Sequence, residues 1–232
     1  MPEETKIAGL LIFPGLTQLD MTGPYEVLAR LPGWRVEIVA RTMDPVRTDK
    51  GLTLLPTLDF ASAPQFDLLV VPGGPGTDDL LLDAEAVEFV RRQGNAAQYI
   101  FGICTGSMLL GAAGLLKGKR AGGHWSARDL LSQFGATPSD ARMTVDGNLY
   151  TAGGVTSGID MALKLAADLV GGDFAQQIQL QIEYDPEPPF RSGTPFVAPA
   201  HILERAKTAG ASRRALRERR VAEAAANLRD RG

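Results

Sequence analysis

The stretch Tyr99–Gly106, YIFGICTG, decides the fold of this 232-residue chain. Its apolar start predicts a buried strand, and the small residues that follow predict a helix over Thr105–Leu116. Gly-x-Cys-x-Gly between a strand and a helix is the thiol form of a nucleophile elbow, a tight turn that raises one side chain above the sheet edge. Gly102 and Gly106 lack Cβ atoms that would clash beside the turn. A lone cysteine is often only a small buried hydrophobe, but this setting favours a reactive Cys104.

On either side of this stretch, short apolar runs alternate with segments in which apolar residues recur at helical spacing. Strands are predicted at Ile7–Phe13, Trp34–Ala40, Asp67–Val71 and Tyr99–Ile103, and hairpins at Val46–Leu55 and Met143–Thr151. Helices are predicted at Asp20–Leu31, Leu80–Gln93 (one or two), Thr105–Leu116, Thr156–Leu169, Asp173–Tyr184 and Ile202–Leu228, the last with a break near Gly210. Alternating strands and helices predict an α/β fold: a three-layer sandwich with a mostly parallel central sheet and a cysteine nucleophile elbow.

The chain is predicted to form one α/β domain over residues 1–184, followed by a C-terminal extension over 185–232. Asp185–Pro199 contains five prolines and should be extended. From His201 onward there are nine Lys or Arg against four Asp or Glu. We expect this basic helix to pack on the same domain or on a dimer partner. Nucleic acid is not an expected partner, because the basic residues are not accompanied by a helix-turn-helix motif, by interleaved aromatic residues or by a zinc finger.

Composition sets further bounds. The chain is 44% hydrophobic and 22% charged with a net charge of −3, which excludes a disordered or collagen-like protein. A single cysteine excludes an internal disulfide and a Cys-x-x-Cys zinc site, and no residue cluster predicts any metal. A free thiol favours the cytoplasm. No run approaches the ~18 apolar residues of a membrane span, and Ile7–Pro14 is too short for a signal peptide.

A second candidate motif, Thr17–Pro24 (TQLDMTGP), follows the first strand. The simpler interpretation of Asp20 is that it is a helix N-cap. The functional alternative is that loops after parallel strands gather at the carboxyl edge, so Asp20 and Cys104 face one crevice. The helix N-terminus would favour the thiolate form of Cys104. Burial and the negative charge of that thiolate would then keep the Asp20 carboxyl protonated. Asp20 is therefore a candidate proton donor.

Two glycine-containing loops are candidate walls of the site. Pro72–Gly76 (PGGPG) lacks the Lys-Ser/Thr of a nucleotide-binding loop. The backbone N–H groups of Gly73 and Gly74 are candidate donors to a developing anion, with a plain turn as the open alternative. Gly153 and Val155, in GGVTSG before a helix, are candidates for the far wall.

The chain has two histidines, of which only His124 could lie near the elbow. A Cys-His-Asp assembly through His124 is the lesser alternative. A structural hydrogen bond beneath the loop is favoured.

Taken together, these motifs resemble the ThiJ/PfpI superfamily, whose fold is related to class I glutamine amidotransferases. The resemblance covers Ile7 to about Tyr184 and rests on LDMTGPYEVL, PGGPG, FGICTG and GGVTSGIDMAL. It implies a cysteine at the elbow beside an acidic residue from the first strand–helix junction, and a homodimer.

The branch of the superfamily depends on three positions. Thr105 stands where the peptidase-like branch has histidine, and Asp20 where deglycase and glyoxalase-like members usually have glutamate. With IEYDPEPPF at Ile182–Phe190, these residues resemble the branch that hydrates small-molecule isocyanides to N-substituted formamides. The resemblance implies a cofactor-independent hydro-lyase with Cys104 as nucleophile through a thioimidate, Asp20 as acid/base and Thr105 as a required neighbour. We expect Thr105 to hydrogen-bond Asp20 or the sulfur.

Other functions stay open. A glyoxalase or deglycase-like enzyme, or a redox-responsive protein, would use the same cysteine. LDxxGPxEV also resembles the sensor part of AraC-type regulators, but the residues after Tyr184 are too few for their DNA-binding region.

Overall fold

The computed structural model describes residues 5–230, which form a seven-stranded sheet flanked by helices. The strands are β1 (Lys6–Leu11), β2 (Trp34–Ala40), β3 (Val46–Arg47), β4 (Thr53–Leu54), β5 (Leu58–Asp59), β6 (Leu68–Val71), β7 (Tyr99–Ile103), β8 (Arg120–Ala121), β9 (Thr137–Pro138), β10 (Met143–Asp146) and β11 (Leu149–Ala152). The helices are α1 (Gln18–Leu28), α2 (Thr77–Leu80), α3 (Ala84–Ala96), α4 (Gly106–Ala112), α5 (Ser157–Val170), α6 (Gly172–Gln181) and α7 (Ala200–Asp230), with a 3-10 helix at Arg128–Phe134.

The sheet order is β10-β11-β7-β6-β1-β2-β5, and every neighbouring pair except β10–β11 is parallel. All four residues of β6 are buried, as expected of a parallel strand covered on both faces. The predicted α/β fold is confirmed. Because β1, β6 and β7 are neighbours, the segments that follow them meet at one edge of the sheet.

Two helix predictions are wrong in detail. The predicted helix over Thr105–Leu116 ends at Ala112, because Gly114 adopts a left-handed φ of 81° that closes a helix. The predicted break near Gly210 is absent, since α7 is continuous. One glycine costs a helix only about 1 kcal/mol relative to alanine, and the good helix formers around it absorb that cost.

Several short elements had no signal in the sequence. These are β5 at the sheet edge, the small parallel pair β8–β9 and the 3-10 helix at Arg128–Phe134. Two-residue strands are too short to show an alternation of apolar and polar residues.

Helix α7 packs against α2, α4 and the 3-10 helix of the same chain. Its buried residues are Arg217, Val221, Ala224 and Ala225. Arg217 forms a buried ion pair with Asp78 of α2, with N–O distances of 2.7 and 3.3 Å. The basic helix is thus docked on acidic side chains of the α/β body.

Over residues 5–230, no helix combines the length and apolarity required to cross a lipid bilayer.

Candidate active site

Cys104 lies at the turn between β7 and α4, with a φ of 58° that side-chain-bearing residues rarely adopt. The turn is possible because the residues two positions before and after Cys104 are glycines, and a Cβ at either position would collide with neighbouring atoms. A Cβ on Gly106 would be 2.1 Å from the carbonyl oxygen of Val71, and one on Gly102 would be 2.7 Å from Leu110 Cδ1. The predicted nucleophile elbow is therefore present, and the Cys104 side chain is 7% exposed.

Asp20 is fully buried in the first turn of α1. The helix begins at Gln18 with Thr17 at the N-cap, so the N-cap reading of Asp20 is wrong. Asp20 Oδ2 accepts a hydrogen bond from the N–H of Gly73 at 2.9 Å. Oδ1 is buried and has no hydrogen bond of ordinary geometry to residues 5–230. Burying an oxygen without such a bond costs free energy.

The Asp20 carboxyl and the Cys104 thiol are coupled. Burial raises the pKa of Asp20 from 3.8 to about 7, against hydrogen bonds from Gly73 and Cys104 that lower it. Burial also raises the pKa of Cys104, and the Asp20 charge beside it adds to that rise. The Thr105 N–H and the positive charge of Arg217 favour the thiolate. The expectation of a standing thiolate is thus corrected: burial outweighs the helix N-terminus, and as the pH rises through about 7 the pair passes from two bound protons to one.

The donors expected from the PGGPG loop are already engaged. The N–H of Gly73 binds Asp20, and the N–H of Gly74 donates to Thr105 Oγ1 at 2.9 Å. In this arrangement neither is free for a developing anion, so the oxyanion role of these two glycines stays a prediction that requires them to exchange these partners. The loop instead fixes Asp20 and the elbow relative to each other.

Thr105 has a different partner from the one expected. Its hydroxyl lies 3.1 Å from Thr77 Oγ1 and also contacts the backbone of Gly74. Within the described residues these contacts, and none to Asp20 or the sulfur, occupy its side chain. Only the backbone N–H of Thr105 reaches the Cys104 sulfur. Its hydroxyl therefore fastens the elbow to the loop after β6.

The far wall is less engaged with the elbow. Gly153 donates its N–H to the Arg142 carbonyl at 3.0 Å, so that donor too is used by the fold. Val155 is half-buried just before α5. Its contact with a ligand stays a prediction.

His124 supports the elbow from below. Its backbone N–H donates to the Cys104 carbonyl at 3.1 Å, and its ring Nδ1 lies 2.8 Å from Ser126 Oγ. Burial, and then the charges of Arg217 and Arg128, lower the pKa of His124 to about 4. The ring is neutral at pH 7, and its recorded bond is structural, in line with the favoured expectation.

Sequence reasoning missed Arg217, whose charge acts on both Cys104 and His124. Its guanidinium is buried against Asp78, and Arg213 contacts the same carboxylate and the Pro75 carbonyl. A signal existed: Arg217 lies four residues before Val221, on the apolar stripe of α7. A cation at such a position is rarely buried without a partner.

Asp20 makes the stability of the fold depend on pH. Its folded-state pKa of about 7 exceeds the ordinary 3.8. The stability tied to its neutral form is therefore full below pH 3.8 and is lost as pH rises through about 7. We expect the wild type to lose roughly a few kcal/mol relative to Asp20→Asn over that range. Urea unfolding of both proteins at a series of pH values measures this difference; parallel stability curves would contradict it.

Comparisons with known proteins identify relatives of this chain. Residues 6–168 match the DJ-1/PfpI family. The chain is 49% identical over 220 residues to isonitrile hydratase of Pseudomonas putida, covering 95% of this chain and 96% of that protein. A crystal structure of a ThiJ/PfpI family protein from Pseudomonas syringae superposes with a TM-score of 0.90 at 40% identity, covering 95% of this chain and 90% of the other.

A regulator is also similar over part of its length. The HTH-type transcriptional regulator GbdR of Pseudomonas aeruginosa is 29% identical over 185 residues, which cover 76% of this chain and 50% of the regulator. The match to the DJ-1/PfpI family contains both the elbow with Cys104 and the helix with Asp20. With this match spanning well over half of its residues, the chain belongs to the DJ-1/PfpI family.

Proposed function

We propose that this protein is an isocyanide hydratase that adds water to an organic isocyanide and releases an N-substituted formamide. The observation that carries the proposal is the coupled pair at the elbow: a nearly buried thiol beside a fully buried carboxyl with a pKa of about 7. Similarity to an isonitrile hydratase along almost the whole chain supports the substrate class.

The first step uses the single proton that Cys104 and Asp20 share. The sulfur attacks the terminal carbon of the isocyanide, forming a C–S bond, while the proton passes to that same carbon. The product is a thioimidate, S–CH=N–R, and Asp20 is left ionised. A group with a pKa near the working pH is suited to give a proton and later take one back.

The second step returns the proton. Ionised Asp20 removes a proton from water as the water oxygen attacks the thioimidate carbon, and Asp20 then passes that proton to the nitrogen. The tetrahedral adduct then collapses: a C=O bond forms, the C–S bond breaks, and formamide leaves. The proton released from the adduct's hydroxyl returns to the thiol–carboxyl pair. Atoms and charge balance without a cofactor.

The engaged loop donors support this chemistry over peptide hydrolysis. Acyl transfer from a peptide needs free N–H donors for the oxyanion that forms at once on attack. At this site the N–H groups of Gly73 and Gly74 bind protein oxygens instead. Attack on an isocyanide needs a proton delivered to the carbon as the C–S bond forms, and Asp20 can supply it.

The same proposal has the enzyme working as a homodimer in the cytoplasm. Large apolar side chains on the surface support self-association: Leu180 is 80% exposed and Phe190 is 78% exposed. Neither residue lies in the central sheet or at the elbow, so a partner bound to these side chains would leave the sheet and the elbow intact.

The direct test is turnover of phenyl isocyanide, followed by chromatographic detection of N-phenylformamide. We expect steady formation of the formamide by the folded wild type and none by heat-denatured protein. If a protein with normal circular dichroism forms no formamide, the proposed function is wrong. Methylglyoxal supplied to the same sample tests the glyoxalase and deglycase alternatives.

A further inference from the structure

A cleft of about 760 Å³ separates α7 from the segment that begins at His124. Its walls include Trp125, Phe196, Leu203 and Ala206. A cavity of this size falls within the range of small-molecule sites, roughly 300–1,000 Å³. It is far larger than an isocyanide carbon and nitrogen alone would need.

Two wall residues of the cleft lie close to the elbow, although Cys104 is not itself a wall residue. His124, which lines it, donates its backbone N–H to the Cys104 carbonyl at 3.1 Å. Arg217, which also lines it, is close enough for its charge to act on the Cys104 thiol. Through Asp78, Arg217 also ties α7 to the residues that follow the PGGPG loop. Helix α7 therefore contacts the segments on both sides of Cys104, and the cleft lies between α7 and the segment that begins at His124.

The charges in the cleft walls are neutralised within the protein. The cationic side chains are paired as follows: Arg128 with Asp140, Lys207 with Glu204, Arg213 and Arg217 with Asp78, and Arg214 with Asp129 and Glu218. His124 is neutral, with a pKa of about 4. An anionic ligand would have to displace these carboxylates, whereas an uncharged one would not. The aromatic rings of Trp125 and Phe196 supply apolar contact area for such a ligand.

We propose that this cleft binds the organic substituent of the isocyanide while its terminal carbon reacts at Cys104. The preferred substrates are then isocyanides with bulky, uncharged, aromatic substituents, and α7 determines that preference. This inference rests on the proposed function.

The test compares a bulky substrate with a small one in the full-length protein. Ala206→Trp fills the cleft at an exposed position of α7, where a large side chain does not disturb the core. We expect its kcat/KM for 2-naphthyl isocyanide, relative to ethyl isocyanide, to fall by at least about tenfold. Ser212→Trp is the matched control, since Ser212 is exposed on α7 but does not line the cleft. Its ratio should equal that of the wild type.

A second variant keeps the inference falsifiable if Ala206→Trp misfolds. Phe196→Ala removes an aromatic wall at a side chain that is 69% exposed, and it should lower the same ratio. Unchanged ratios in both variants overturn the inference while turnover by the wild type leaves the proposed function standing. A change in sedimentation of either variant, without a change in the ratio, would also overturn it, because the cleft would then hold a second copy of the chain. Absence of wild-type turnover instead sinks the proposed function.

Discussion

Replacing Cys104 with serine is expected to lower the rate of isocyanide hydration by at least about 10³-fold. Serine matches the volume of cysteine and can occupy the same left-handed turn. Its hydroxyl, however, has a far higher pKa than a thiol, and the proton shared with Asp20 cannot make it a comparable nucleophile. The variant should fold normally and bind substrate, but it should form no adduct.

The measurement has two parts. Steady-state formation of formamide gives the loss of kcat, and mass spectrometry of acid-quenched protein detects a covalent adduct with the mass of the isocyanide. The adduct should accumulate on the wild type and be absent from Cys104→Ser. A thermal unfolding curve for each protein serves as the folding control. If the serine variant keeps most of the turnover, Cys104 is not the nucleophile.

Replacing Asp20 with asparagine is expected to reduce kcat by about 10²–10⁴-fold. The amide oxygen can still accept the hydrogen bond from Gly73, so the loop should keep its position. The asparagine side chain cannot donate a proton to the isocyanide carbon and then take one back from water. The wild-type rate should change as pH passes through about 7, where Asp20 titrates, and this dependence should disappear in Asp20→Asn.

Asp49→Asn is a matched control for the charge at this site. The charge of Asp49 raises the pKa of Asp20, so its removal should shift the pH profile to lower pH. The rate at the new optimum should stay close to that of the wild type. A wild-type rate in Asp20→Asn, or a loss in Asp49→Asn as large as that in Asp20→Asn, would contradict the assigned role of Asp20.

The elbow could be predicted from the sequence because its cause is local. Gly102 and Gly106 leave room for one tight turn, and an apolar strand before it fixes which way Cys104 points. The meeting of Asp20 with Cys104 could also be anticipated, since carboxyl ends of neighbouring parallel strands share one edge. Both arguments need only short-range sterics and a general rule of topology.

The hydrogen bonds of the loop could not be predicted in this way. Whether the N–H groups of Gly73 and Gly74 are free depends on where Asp20 and Thr105 lie in space, and these residues are 53 and 31 positions away. The same holds for the cleft, whose two walls come from α7 and the segment around His124. Contacts between distant segments leave no pattern in a single sequence.

Two features of the site oppose the stability of the chain that carries it. The left-handed conformation of Cys104 costs about 1 kcal/mol for a residue with a side chain, and burial of Asp20 disfavours the ionised form of its carboxyl. A redesign guided only by thermostability would replace Cys104 by glycine, which adopts the left-handed conformation without this cost, and would replace Asp20 by an apolar residue. The resulting protein would survive higher temperatures and catalyse nothing. Stabilising substitutions for this protein are therefore best sought on the opposite edge of the sheet, away from the elbow.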